Sequence, residues 1–345
     1  MNEVVEAICK EAQLQNGYIN EPAETIYFGG GTPSLMNEEQ LNYIIQSIRN
    51  SFEITEDAEI TLETNPDDIN ESSLEIWKRA GINRLSIGVQ SFFEEDLLWM
   101  NRAHNAQQAI QSIELAQQKG FYNLTIDLIY GTPGLTDEHW IQNIDRAIAL
   151  NIPHISCYAL TVEEGTALHH KIKKGELRNT DNEHQSKHFE ILMSKLKQAG
   201  YVHYEISNFA KEGFESKHNS SYWKSKPYVG LGPSAHSYNG TSRQWNIANN
   251  AMYVQSMKTN TIPFDIEILT DDQQLNETIM IALRTANGLS LDIIEQKFSA
   301  KVATELSKKA AKYIQQNLME NKNNSLVLTE KGKFLADGIA ADLFV

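Results

Sequence analysis

Five apolar, strand-like runs in this chain each end on a glycine, a polar residue or a small residue, and helical stripes separate them. The runs are Glu24–Phe28 into Gly29-Gly30-Gly31-Thr32-Pro33, Glu59–Leu62 into Glu63, Arg84–Val89 into Gln90, Leu124–Ile126 into Asp127, and His154–Tyr158 into Ala159. Strand alternating with helix predicts βαβ units and a parallel sheet. Parallel strands buried on both faces read as unbroken Val, Ile and Leu. Period-two alternation here puts Thr61 on the face of Glu63, Ser86 and Gly88 on that of Gln90, and Thr125 on that of Asp127. One face of the sheet is therefore small and polar. The carboxyl ends of parallel barrel strands are where active sites are built, so the expectation is an interior that holds a ligand.

The helices follow from a 3.6-residue period. Val4, Val5, Ile8, Cys9 and Ala12 share one face over residues 2–16. Asn37 is placed to cap a helix reaching about Asn50, with Leu41, Ile44, Ile45 and Ile48 as its stripe. Further helices are expected over 71–80, 105–119 and 137–150, and Gly81 and Gly120 suit helix C-caps. Residues 161–190 are polar and strand-poor and read as an excursion, followed by a helix over 182–198 and a strand over 202–207. After Thr270, helices over 271–286, 291–298 and 303–317 precede Leu326-Val-Leu-Thr-Glu-Lys-Gly-Lys-Phe-Leu335, an ending like a small winged helix. The fold class is α/β: an open, incomplete (β/α)6-type barrel over residues 1–210, a linker region over 211–265, and a C-terminal helical, winged-helix-like module over 266–345.

Composition narrows the partners. The chain has 345 residues, long enough for a large core domain and a smaller one, and a net charge of -15. It has no basic stripe, and its last module balances Lys and Arg against Asp and Glu, so no nucleic acid is expected as a partner. No run approaches the roughly 18 apolar residues of a membrane span. Met1-Asn-Glu-Val-Val5 lacks the regions of a signal peptide. The expected location is the cytoplasm. Cys9 and Cys157 are the 2 cysteines; both fall among apolar residues and read as small buried hydrophobes.

The strand ends supply the candidate chemistry. Three glycines after a strand let backbone approach a ligand closely; the alternative is a tight strand-to-helix turn. No Gly-Lys-Ser/Thr follows, so the run is not a P-loop, nor is it a dinucleotide fingerprint. Glu63 can accept from an ammonium or from ribose hydroxyls, or pair with a nearby arginine. Asp127 is costly to bury without a partner. Gln90 and Arg102, the latter in Trp99-Met-Asn-Arg-Ala-His104, add an amide and a fixed cation suited to a carboxylate.

Phe28-Gly-Gly-Gly-Thr-Pro33, Glu63-Thr-Asn-Pro66, Gly88-Val-Gln-Ser91, Asn101-Arg-Ala-His104 and Ile126-Asp-Leu-Ile-Tyr-Gly131 together resemble the radical S-adenosylmethionine proteins of the oxygen-independent coproporphyrinogen III oxidase family. The resemblance covers nearly the whole chain. Tyr204-Glu-Ile-Ser-Asn-Phe-Ala210, His218-Asn-Ser-Ser-Tyr-Trp223 and Gly230-Leu-Gly-Pro-Ser-Ala-His236 are more similar to its heme-chaperone branch. Residue by residue, the resemblance implies that Gly30, Gly31 and Thr32 bind the methionine amino group of S-adenosylmethionine and that Glu63 contacts the same ligand. It implies ribose and carboxylate contacts for Gln90, Arg102 and Asp127, adenine-side contacts for Ala159 and His236, and heme ligation for His218. Gly230–Pro233 reads as a flexible stretch beside that motif.

The family also carries C-x-x-x-C-x-x-C after its first barrel strand, whose thiolates hold a [4Fe–4S] cluster. This chain has no such motif, and Cys9 lies on the helix that follows the cluster loop in the family. The expectation is that the first strand and the cluster loop are missing, whether from a late start, a truncated chain or a degenerate gene. The resemblance then implies heme chaperoning to respiratory proteins. One alternative is the oxidative decarboxylation of coproporphyrinogen III to protoporphyrinogen IX; the other is a heme- or nucleoside-binding remnant without catalysis.

Overall fold

The computed structural model describes residues 2–345. Helix α1 (Asn2–Leu14) leads into β1 (Ala23–Phe28), α2 (Glu38–Ser51), β2 (Ile54–Thr64), α3 (Glu71–Arg79), β3 (Arg84–Gln90), α4 (Glu94–Trp99), α5 (Ala106–Gln118), β4 (Leu124–Tyr130), α6 (Asp137–Ala149) and β5 (His154–Ala159). The excursion holds α7 (Ala167–Lys173), and α8 (Asn182–Gln198) follows it. Asn37, Asn70 and Asn105 form capping boxes at the starts of α2, α3 and α5. Each side-chain oxygen there satisfies an orphan N–H of the first turn. Gly81 and Gly120 follow α3 and α5 with φ of 91° and 86°, the left-handed geometry that favours glycine.

Strands β1 to β5 stand in order in one open seven-stranded sheet, completed by β6 (Val202–Glu205) and β7 (Asn208–Ala210) in the order β1-β2-β3-β4-β5-β7-β6. The pairs β2–β3, β3–β4 and β4–β5 are parallel, as the alternation predicts. The strand expected over 202–207 divides into a hairpin instead. Its return arm β7 pairs antiparallel with both β5 and β6 and takes the place beside β5. Glu205 explains the division. Its Oε2 accepts from Ser207 N–H at 3.0 Å and from Asn208 Nδ2 at 2.6 Å, closing a two-residue turn at 206–207.

Burial separates the faces of the parallel strands. Leu85, Ile87 and Val89 of β3 and Leu124, Ile126 and Leu128 of β4 are fully buried. On the other face Ser86 and Thr125 are buried, whereas Gly88, Gln90 and Asp127 further along are half-buried. The polar face therefore opens toward the carboxyl ends.

The chain forms two compact units, and β1 and β2 run from one into the other. One comprises residues 27–35 and 60–216. The other comprises 1–26, 36–59 and 217–345. The second contains α9 (Lys217–Trp223), β8 (His236–Tyr238), β9 (Ser242–Asn246), α10 (Asn250–Lys258) and β10 (Phe264–Ile268). Its three strands form an antiparallel sheet in the order β10-β9-β8. Then come α11 (Asp271–Leu283), β11 (Leu289–Ser290), α12 (Leu291–Lys297), α13 (Ala300–Gln315), β12 (Met319–Lys322), β13 (Ser325–Leu328), α14 (Glu330–Lys333) and α15 (Ala336–Leu343). Helices α11 to α13 with the small sheet β11-β13-β12 give the winged-helix-like module. Among the described residues no helix is long and apolar enough to cross a membrane.

Within this second unit α1 packs on α10 through Ala7, Tyr253, Val254 and Met257. Glu11 is buried in the same place with no exposed surface. Its Oε2 accepts from Gly232 N–H at 2.8 Å and from Tyr253 OH at 2.5 Å, and its Oε1 accepts from Asn246 Nδ2 at 2.6 Å. Burial pushes its carboxyl above the usual range, against the pull of those donors. Glu11→Ala orphans three buried donors, at roughly 1–3 kcal/mol each. A urea melt of this variant should show a loss of at least about 3 kcal/mol. Glu11→Gln, which keeps one acceptor, should lose less.

Candidate functional site

Two clusters gather at the carboxyl ends of the parallel strands. The first is built around Glu63, the penultimate residue of β2. Tyr27 OH donates to Glu63 Oε1 at 2.8 Å, and Gly30 N–H donates to Glu63 Oε2 at 3.0 Å. The glycine run after β1 thus folds onto this carboxylate. Gly29 has no room for a side chain, because a Cβ there would lie 2.9 Å from Glu63 Oε1 and 2.6 Å from the Tyr27 ring. Gly30 and Gly31 take φ of 74° and 64°. Thr32 closes the run with its hydroxyl on the Gly31 carbonyl at 2.6 Å.

The second cluster converges on Gly88. A Cβ there would lie 3.1 Å from Gln90 Nε2, 3.3 Å from Arg102 Nη2 and 3.7 Å from Asn65 Oδ1. Arg102 Nη2 donates to Asn65 Oδ1 at 2.7 Å and to the Gly88 carbonyl at 3.1 Å, while its buried Nε has no partner. Gln90 holds a φ of 67°, and the β3–β4 register shifts between Ile87 and Gln90. A bulge of this kind re-aims a strand-end side chain. His104 Nε2 donates to the Val89 carbonyl at 3.0 Å, which ties the Asn101–His104 segment to β3.

Asp127 lies opposite Ser156 in the β4–β5 register. Burial, and then the negative charge of Glu63, push its carboxyl up to about 7; Arg84, Ser156 and Arg102 oppose that rise. Ala159 ends β5, half-buried. The structure therefore collects Gly30, Gly31, Thr32, Glu63, Gln90, Arg102, Asp127 and Ala159 at the ends of β1 to β5 of the one sheet. Tyr27 and Asn65 belong to these clusters and escaped the sequence reading. Tyr27 was legible in principle, since period two puts it on the face of Gly29. Asn65 lies past the strand end, where no periodicity applies.

His236 and His218 belong to the other unit. His236 begins β8, exposed, with its ring stacked on Trp245 at 6.2 Å. Gly230–Pro233 is a bonded turn, contrary to the flexible reading. Gly230 N–H donates to Ser237 Oγ at 2.9 Å, Gly232 N–H is held by Glu11, and a Cβ on Gly230 would lie 2.2 Å from the His236 carbonyl oxygen. His218 sits in the first turn of α9, half-buried. Tyr222, four residues on, presents its ring edge-on at 5.0 Å. Arg284 lies 5.7 Å over the Trp223 ring.

Asp137, His184 and His188 also gather ligand-type atoms within 4.8 Å of one another. Gly131 N–H donates to His188 Nδ1 at 3.2 Å, so the neutral ring carries its proton on Nε2, which lies 3.4 Å from Asp137 Oδ1. His188 and Asp137 thus form an Asp–His pair within this group.

A curled, mostly parallel sheet with its polar groups at the strand ends, followed by a winged-helix-like module, defines a class. Residues 4–147 match the Radical SAM superfamily, and residues 269–335 match the HemN C-terminal domain. The whole chain superposes on 83% of the coproporphyrinogen III oxidase HemN of Escherichia coli with a TM-score of 0.84 at 23% identity, a likeness of fold. The heme chaperone HemW of Bacillus subtilis is 35% identical over 92% of this chain and 84% of its own length. The Lactococcus lactis protein of the same name is 32% identical over 97% of this chain and 90% of its own. The chain belongs to the HemW family of radical S-adenosylmethionine proteins.

That family implies S-adenosylmethionine and a [4Fe–4S] cluster. Cluster irons are held by cysteine thiolates. Cys9 and Cys157 are both buried and stand on α1 and β5. Burial pushes both thiols up, away from the thiolate.

Asp127 generates a prediction about pH. Its folded pKa is raised, so its stabilising contribution is complete below the unfolded value near 3.8 and is lost as pH rises through about 7. Asp127→Asn removes that dependence. Urea midpoints measured from pH 5 to 8 should fall with pH more steeply in the parent than in the variant.

Proposed function

We propose that this chain is a heme-binding chaperone that ligates heme through His218 and holds S-adenosylmethionine at the ends of the parallel strands. The likeness to proteins named heme chaperones, 35% identical over 92% of the chain in one case, carries this reading. The setting of His218 supports it. Imidazole is a common axial ligand of heme iron, and Tyr222 beside it offers an aromatic surface for a porphyrin. Respiratory proteins would be the recipients.

The strand-end clusters suit S-adenosylmethionine, which brings an ammonium, a carboxylate and ribose hydroxyls and in this family is cleaved reductively at its sulfonium. Gly30, Gly31, Thr32 and Glu63 would hold the ammonium. Gln90, Arg102 and Asp127 would take the carboxylate and ribose, and Ala159 the adenine side. Two observations support the fit. The glycine run packs tightly against Tyr27 and Glu63, and the buried Arg102 Nε, in the second cluster around Gly88, is an orphaned donor. A buried guanidinium donor without an acceptor is costly, and a ligand carboxylate removes that cost.

A hemin titration tests the heme reading. The parent should bind one heme per chain with a defined Soret band. His218→Ala should bind at least about tenfold more weakly, with the band shifted, since loss of even an outer-shell partner of a metal ligand costs about 10–100-fold. A parent that leaves hemin unbound, or a variant with the same spectrum and affinity, overturns it. The thiol content gives a second expectation for these 345 residues. After anaerobic reconstitution with iron and sulfide, iron and acid-labile sulfide should stay far below four per chain.

A further inference from the structure

The motif of residues 218–223 begins at His218, and the structure shows what holds that ring. Thr25, in the middle of β1, lies with its Oγ1 3.0 Å from His218 Nδ1. Glu59, in β2, accepts the backbone N–H groups of Lys217 and His218 on its two oxygens, at 3.2 Å and 3.0 Å. Glu59 is buried and Thr25 half-buried. The edge-on Tyr222 ring adds a third restraint on the imidazole. All of these residues belong to the one unit.

We propose that Thr25 is a positioning residue for heme ligation, accepting the Nδ1 proton of His218 so that Nε2 is the nitrogen presented to iron. The inference rests on the heme reading above. Its chemistry is that of the outer shell of metal sites. A histidine that gives Nε2 to a metal carries its proton on Nδ1, and a hydrogen-bond acceptor there fixes the tautomer, orients the ring and raises its basicity. Thr25 Oγ1 is the acceptor the structure provides. Glu59 does a different job: it sets where α9 begins, and so where the ring starts from. A strand of the sheet thus reaches the heme motif through one hydroxyl.

Thr25→Val removes the hydroxyl and keeps the shape, and Thr25→Ser keeps the hydroxyl. Hemin titrations, with circular dichroism to check folding, give the affinities. The ferrous iron–histidine stretch by resonance Raman gives a readout that packing alone does not move. Thr25→Val should bind hemin about 10–100-fold more weakly, the range for loss of an outer-shell partner, and should lower the stretch frequency. Thr25→Ser should restore both. Failure of the parent to bind hemin, or an unaltered His218→Ala, overturns the heme reading itself. A parent that loses heme with His218→Ala, beside a folded Thr25→Val that keeps affinity and stretch frequency, overturns this inference alone. So does a Thr25→Ser variant as weak as Thr25→Val, which would make the threonine methyl the cause.

Discussion

Three glutamate carboxylates hold the three motif segments of this protein, each by accepting backbone N–H groups. Glu63 takes Gly30 of the glycine run, Glu59 takes Lys217 and His218 at the start of α9, and Glu11 takes Gly232. Each segment lies outside the sheet ladders, so its amides have no strand partner. A carboxylate supplies charge-assisted bonds at those points, roughly twice as strong as neutral ones. Loss of Glu11 leaves several buried donors at once. The loops can therefore be glycine-rich and irregular and still keep one conformation.

Glu63 depends on the parallel ladder. Strands β2 to β5 pair in a register that sets Glu63 opposite Ser86 and Asp127 opposite Ser156. The same ladder carries apolar Leu85, Ile87, Leu124 and Ile126 on the opposite face. A slip by one residue would move that set to the polar side and the acids to the core. Packing of the apolar face thus fixes the site geometry. Burying Asp127, and then crowding it near Glu63, is the electrostatic consequence, and it appears as a carboxyl held up to about 7. Strand β1 serves twice, giving Tyr27 to the Glu63 cluster and Thr25 to His218.

Much of this was legible because it is local. Periodicity separates strand from helix. Asparagine before an apolar stripe marks α2 and α5, and glycine after one marks the ends of α3 and α5. The polar strand ends pointed to Glu63, Gln90, Arg102 and Asp127 before any partner was visible. The failures lie in hydrogen bonds that no periodicity announces, one of them local and the others long-range. The 202–207 run has the composition of one strand, and only the Glu205 carboxylate turning back onto Ser207 and Asn208 splits it. Gly230–Pro233 looks pliant in sequence because its tethers, Glu11 and Ser237, are supplied from elsewhere. Asn65 and Thr25 are ordinary residues until their partners, 37 and 193 positions away, are beside them.

The sequence by itself determined the element order as far as Ala159, the parallel alternation, the polar sheet face and the family, because each is written in spacing of a few residues or in motifs read as strings; the helices and antiparallel strands of 217–268 escaped it. Tertiary structure decided which groups meet. It chose the ladder order that inserts β7 beside β5, the burial that lifts Asp127 and the choice of Thr25 as partner of the His218 ring. Those outcomes depend on desolvation and on contacts between residues far apart in the chain. Both arise only when the sheet has closed over its apolar face, and no local pattern encodes them.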